Sequence, residues 1–115
     1  IQIKEEAMNF NSITVTGRLT KDPIIETKSI NGEDIPLCTF HIASNRTKEK
    51  ADFFPVSVWR TPAKLAGTIL RKGSHVLIRG NLKTTQKQDK TFFEISADEF
   101  IALENKPKKK ISINN

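Results

Sequence analysis

The chain contains one cysteine, Cys38, so an internal disulfide and a thiolate metal cluster are both excluded. Within its apolar run Cys38 is expected to be a small core residue. Neither histidine has a second histidine or a carboxylate at a metal-site spacing, so no metal and no cofactor is expected. No apolar run approaches the ~20 residues of a membrane span, and the N-terminus lacks the charged-then-apolar design of a signal peptide. The expectation is a soluble protein of the cytoplasm. There is no internal repeat, no low-complexity segment except the basic end, and no nucleophile-and-base or Gly-rich phosphate-cradling motif. The carboxylates Asp22, Asp34, Asp52, Glu94, Asp98 and Glu99 fall on separate loops and strand ends without a repeated spacing, which argues against a metal-dependent nuclease and against catalytic residues. Acid is the scarcer charge: 13 Asp and Glu against 19 Lys and Arg leave a formal +6, which suits an anionic partner such as nucleic acid or an acidic membrane surface.

What the chain does have is alternation. Its 115 residues suffice for one small domain with a single core. Residues 1–7 read as an extension before Met8, which resembles a natural initiator; 8–104 read as the folded domain and 105–115 as a basic flexible tail. Ile13, Val15, Gly17 and Leu19 alternate with Thr14, Thr16 and Arg18, the pattern of a half-buried strand, with Gly17 marking a bulge or bend. A turn at Lys21-Asp22-Pro23 leads to a short strand over 24–28. Asn31-Gly32 predicts a tight hairpin, because both central positions of the favoured turn need φ > 0. The return strand is expected over 35–44, with Cys38, Phe40 and Ile42 on one face and Leu37, Thr39, His41 and Ala43 on the other. A polar loop carrying Arg46, Lys48 and Lys50 follows.

The stretch 51–59 has two different faces. Successive side chains of a strand point to opposite sides, so Phe54, Val56 and Val58 form an apolar face while Phe53, Pro55, Ser57 and Trp59 form the other. An aromatic on an open face of a basic protein can stack on a nucleobase. The plainer alternative is a strand buried on both sides, with both aromatics in the core.

Thr61-Pro62 predicts a helix start, with threonine as the cap and proline at the first helical position. Leu65, Ala66, Ile69 and Leu70 supply an apolar face, and Gly73 a stop. A strand is expected over 75–83, with Val76, Ile78, Gly80 and Leu82 inward, then a polar loop over 84–90 and a last long strand over 91–97. Phe100, Ile101 and Leu103 are expected to close the core, and Leu37 and Leu77 to hint at an oligomer face. The order strand, hairpin, strand, helix, hairpin is that of an all-β OB-fold, a five-stranded Greek-key barrel with one short helix between strands three and four.

Several segments resemble bacterial and phage single-stranded DNA-binding proteins: 8–23 (Met-Asn-Phe-Asn-Ser-Ile-Thr-Val-Thr-Gly-Arg-Leu-Thr-Lys-Asp-Pro), 40–47, 51–60, 70–74, 76–84 and 94–98. The resemblance covers 8–103 and implies an OB-fold that wraps single-stranded DNA without sequence preference during replication, recombination or repair, usually as a homotetramer. The positions matching the family's stacking aromatics are Phe53 and Trp59. Two other aromatic positions are not kept and fall near Thr47 or Lys48 and near Lys87, with Phe92 a candidate replacement. Arg18, Arg46, Lys48, Lys72, Arg79, Lys83 and Lys87 would line a path for phosphates. The acidic, partner-recruiting tip of cellular members is absent from 106–115, as expected for a truncated chain or for a short phage- or plasmid-type member in a bacterial cell or infected host. An OB-fold primosomal or RNA-binding adaptor is the alternative.

Overall fold

The computed structural model describes residues 9–103; the expected extension over 1–7 and the basic tail over 105–115 lie outside the described residues. The elements run β1 Ile13–Leu19, β2 Ile24–Ile30, β3 Glu33–Asn45, β4 Ala51–Trp59, α1 Thr61–Ile69, β5 His75–Lys87 and β6 Lys90–Ala102. The pairings form a ring, β1 to β5 to β6 to β4 to β3 and back to β1, while β2 hangs on β3 outside it. Five strands close the barrel, and α1 connects the third of them, β4, to the fourth, β5, where the order in the sequence puts it. The pairing of β4 with β6 is parallel and all the others are antiparallel.

Two glycines make the closure possible. β1 pairs with β5 along most of its length and reaches β3 only at its end, where Arg18 faces Ala43 and Leu19 faces Ile42. Gly17 stands at this bend, and a Cβ there would lie 2.6 Å from the Ala43 carbonyl oxygen. In β5 the register with β6 shifts between Arg79 and Gly80. A Cβ on Gly80 would run into the Ser96 carbonyl. Both strands bend because the missing side chain lets a neighbouring backbone approach.

The barrel interior is filled by the apolar face of each strand, with Leu19, Phe40, Ile42, Val56, Val58, Val76, Ile78 and Ile95 all buried. Cys38 joins them, and burial pushes its thiol up to about 11. At neutral pH the native thiolate is therefore scarce, and Cys38 is expected to resist a disulfide reagent at pH 8 until denaturant is added. A fast stoichiometric reaction in native buffer would contradict its burial. The unfolded thiol ionises near 9.0 and the folded one only near 11, so this group's contribution to stability is complete below pH 9 and is lost as pH rises toward 11.

Several local expectations are corrected. Arg60, not Thr61, is the N-cap of α1, with φ 68 and no side-chain cap, and Thr61 is already helical. The buried stripe of α1 is Ala63 and Ala66, continued by Leu70, whereas Leu65 and Ile69 are exposed. Small residues face the barrel because they let the helix axis come close, and the larger ones point away. The expected loop over 84–90 is instead an extension of β5 and β6 joined by a two-residue turn at Gln88-Asp89, both at positive φ. That turn carries no glycine, so its geometry left no strong signal in the sequence. The extended hairpin runs past the barrel, which leaves Leu82 and Phe93 exposed although they alternate in step with the buried Ile78 and Ile95. Ile101 and Leu103 are also exposed, and of the three residues expected to close the core only Phe100 packs against it. Leu37 is buried, directly opposite Trp59 in register, and offers no open oligomer face. Asn31-Gly32 does form the predicted turn, both residues at positive φ, with β2 and β3 paired up to Ile30 and Glu33.

Candidate nucleic-acid interface

The outer face of the barrel is built from the residues that alternate with the core. On β4 these are Phe53, Pro55, Ser57 and Trp59, and β3 places Ala43, His41, Thr39 and Leu37 opposite them in turn. Ser57 is buried between two flanking strands and donates its hydroxyl to a Glu94 carboxylate oxygen at 3.0 Å. Glu94 is thereby fixed on the floor of a groove of about 590 Å³ that passes Lys21, Ile24, Phe40, His41, Phe53 and Pro55. A second groove of about 360 Å³ shares His41, Pro55 and Glu94 and continues over Thr85, Lys87, Phe92 and Phe93. The two make one trough crossing β3, β4, β6 and β5.

Three aromatic rings stand along this trough with their faces open. Phe53 is 63% exposed, Phe92 50% and Phe93 56%. Lone exposed apolar residues are ordinary, but three large rings lining one concave surface mark a binding site. The core alternative for Phe53 is thus overturned: it faces away from Ile42, Val56 and Val58, on the side with water. Trp59 is different. It is half-buried, lines neither groove, and sits six residues from Phe53, about 20 Å along an extended strand.

The basic residues are distributed less evenly than the sequence suggested. Lys87 lines the second groove, and Lys83 stands directly across from Glu94 on the neighbouring strand. Arg46 is clamped by Asp52, its Nη2 donating to Oδ1 at 2.7 Å and its Nε to Oδ2 at 3.0 Å. This hydrogen-bonded pairing holds the Asp52 carboxyl below the usual carboxylate range and raises the Arg46 guanidinium. Lys48 lies in the turn between β3 and β4, where the Thr47 hydroxyl accepts from the backbone N–H groups of Glu49 and Lys50. Both residues flank the Phe53 end of the trough along the chain.

Arg18 and Lys72 instead meet around the turn after α1: the Arg18 Nη1 donates to the Gly73 carbonyl at 3.0 Å, and the Lys72 backbone N–H donates to Asp22 at 2.8 Å. Arg79 is paired with Glu99 at 3.0 Å and points out from the β1–β5–β6 side. The structure therefore brings together Phe53, Phe92 and Lys87 and leaves Trp59, Arg18, Lys72 and Arg79 off the trough. Lys21, His41 and Phe93 belong to it although sequence reasoning did not assign them there. Only Phe93 had a usable signal, since an aromatic pair next to a hairpin tip cannot place both rings in a barrel core. Among the described residues no group of three or more His, Cys, Asp or Glu side chains is arranged to hold a metal ion, and no helix is long and apolar enough to cross a membrane.

A five-stranded closed barrel with an aromatic-lined trough across its face defines an OB-fold module of the oligonucleotide-binding kind. Residues 10–104 match the single-strand binding protein family, and the chain belongs to that family. It is similar to the single-stranded DNA-binding protein of Caldanaerobacter subterraneus, 32% identical over 108 residues covering 84% of this chain and 70% of that protein. Single-stranded DNA-binding protein 1 of Clostridium acetobutylicum is 34% identical over 84% of this chain and 96% of its own length. Against single-stranded DNA-binding protein 2 of Listeria innocua the chain is 33% identical and spans 60% of the relative's length. The wild-type single-stranded DNA binding protein from Thermus aquaticus superposes with a TM-score of 0.70 over 88% of this chain and 44% of that one, at 24% identity, and so supports the fold alone.

Proposed function

We infer that this chain binds single-stranded DNA without regard to sequence and keeps it unpaired during replication, recombination or repair, in the cytoplasm of a bacterial or phage-infected cell. The observation that carries this is the row of open rings, Phe53, Phe92 and Phe93, along one trough. Every base has a π-face, so stacking on such rings is tolerant of sequence. A duplex hides those faces in its own stack and gains nothing from the rings. The phosphates of a bound strand follow Lys87, Lys83 and Lys21, with Lys48 and Arg46 at the Phe53 end, and release counterions as they do so. Arg18, Lys72 and Arg79 then belong to an outer path that a longer strand reaches after leaving the trough. Trp59, half-buried at the far end of β4, reports on the site and contacts the strand with its open edge. The family resemblance supports assembly into a homotetramer. The reading treats 8–104 as the DNA-binding domain, and the reaction involves no bond-making step.

A titration with a thymidine homopolymer tests this. Trp59 emission is expected to fall on binding, affinity to drop as salt rises, and a duplex of matched length to compete poorly. Equal affinity for the duplex, or a strong preference for an RNA strand of the same sequence, would overturn the assignment in favour of a different nucleic-acid partner. The contribution of a single cation is measurable in the same assay. Lys87→Ala is expected to weaken binding several-fold and to lower the slope of log affinity against log salt by about 0.7, the value for one phosphate contact on a single strand. An unchanged slope would place Lys87 off the phosphate path.

A further inference from the structure

The outermost strand, β2, has one free edge. It pairs with β3 alone at the end of the sheet, and all seven of its residues are exposed. An exposed edge of this length is a template for another strand, and proteins usually blunt it with proline, a bulge or charged side chains, lysine above all. β2 has no proline and no bulge between Ile24 and Ile30, and its two charges, Glu26 and Lys28, are of opposite sign and so do not repel a second copy in the matching register. Its sequence, Ile-Ile-Glu-Thr-Lys-Ser-Ile, is instead complementary to itself when read in the opposite direction.

We propose that β2 pairs antiparallel with β2 of a second copy of this chain, about a two-fold axis passing between the two Thr27 residues. In that register Glu26 of one copy stands opposite Lys28 of the other, twice, and Ile24 stands opposite Ile30, twice. Both pairs lie on one face, because 24, 26, 28 and 30 alternate with 25, 27 and 29. Ile24 and Ile30 are 61% and 40% exposed in the single chain, and each would be covered by its counterpart. Glu26 and Lys28 already attract each other within a chain at 3.5 Å; across the axis they extend into a row of four alternating charges. On the other face Ile25 meets Ser29, and Ile25 is also held beneath the helix at Gly67, which fixes β2 in place as a docking edge. A one-residue slip would set both charges opposite uncharged residues, and moving the axis by one residue, a slip of two, would set Glu26 or Lys28 opposite its own kind, a destabilising cross-strand pair. The charges therefore select this register. An isologous pairing of this type is closed: each β2 edge is used once and no fibre results. One strand pair is a small interface, so the contact is concentration-dependent or one of several in a larger assembly.

The test is a register-specific crosslink in the full chain. Directly opposed residues of antiparallel strands have Cα atoms about 4.5–5.5 Å apart, inside the range of a disulfide. Thr27→Cys is therefore expected to give a covalent dimer under mild oxidant. Ser29→Cys, on the same exposed face, would lie about 13 Å from its copy along the strand and is expected to crosslink at least tenfold more slowly. The buried Cys38 gives no background. Adding Lys28→Glu to Thr27→Cys sets Glu against Glu and is expected to slow the crosslink tenfold, and adding Glu26→Lys as well should restore it. Equal crosslinking at 27 and 29, or a rate indifferent to the charge swap, would overturn the proposal. DNA titration of the same variants reads the other site separately, because none of the varied residues, Glu26, Thr27, Lys28 and Ser29, lines the trough.

Discussion

Replacing Phe53 by alanine is expected to weaken binding of a thymidine homopolymer by about 5- to 150-fold and to leave the melting temperature almost unchanged. The range corresponds to the roughly 1–3 kcal/mol that one base–aromatic stack is worth by alanine substitution. The upper part is expected here, because Phe53 is the most exposed of the three rings along the trough. Stability is expected to hold because the ring is mostly exposed and its truncation leaves no internal cavity. The two effects are separable in one preparation, by fluorescence titration and thermal melting. If the melt drops by many degrees, the ring is packing. If neither affinity nor melt moves, the trough is not where DNA binds. Phe92→Ala and Phe93→Ala extend the series and separate the two faces of β6: Phe92 shares its face with the trough residue Glu94 and is expected to lose more than Phe93, which shares the other face with the core residue Ile95.

The second large effect is on the fold. Gly80→Ala is expected to destabilise the domain by about 1–3 kcal/mol or more, the usual range for forcing extra volume into a packed site. At about 4–8 °C per kcal/mol for a domain of this size, the melting temperature should fall by roughly 5–20 °C. The colliding atoms are backbone, the Ser96 carbonyl oxygen with the Ala97 Cα at 2.9 Å, so no side-chain rotation relieves the contact. Gly32→Ala is the matched control. Its φ is +80 but no atom lies within 4 Å of the added methyl group, so it is expected to cost only about 1–2 kcal/mol for the left-handed backbone. Equal losses at the two sites would mean that the closure between β5 and β6 tolerates a side chain.

Much of the architecture was legible because it is carried by period-two alternation, and the residues that alternate inward on β3, β4 and the first half of β5 are those that fill the barrel, whereas Leu82 further along β5 is exposed. Tight turns were legible where glycine marks them, as at Asn31-Gly32, and not where they form without it, as at Gln88-Asp89. The helix illustrates the limit of amphipathic counting. Leu65 and Ile69 read as its core face, yet the barrel accepts only the small stripe of Ala63 and Ala66, because the distance between helix and strands is set by the barrel's width. At the site, Phe53 and Trp59 are legible from their strand face and the family resemblance, and Phe92 only as a candidate replacement for an aromatic position not kept; Phe53 and Phe92 line the trough and Trp59 does not. Arg46 was chosen as a free cation, and the structure shows it forked onto Asp52, a neighbour that sequence reasoning counted only among possible metal ligands. Arg18, Lys72 and Arg79 lie off the trough, a placement the sequence could not give, since a lysine or arginine in sequence has no direction.

The sequence by itself determined the strand order, the place of the helix, the burial of Cys38, the basic character and the family, because all of these follow from residue type and spacing along one chain. It also determined the self-complementary pattern of β2. Tertiary structure alone decided which outward residues share a surface. Phe53, His41, Glu94, Phe92 and Lys87 come from four strands, and only the β3–β4–β6–β5 pairings bring them into one trough. The same pairings set Trp59 at the opposite end of β4. The physical reason is that alternation fixes a side chain's face but not its neighbours, and neighbours across a barrel are assigned by register and by the two bends at Gly17 and Gly80.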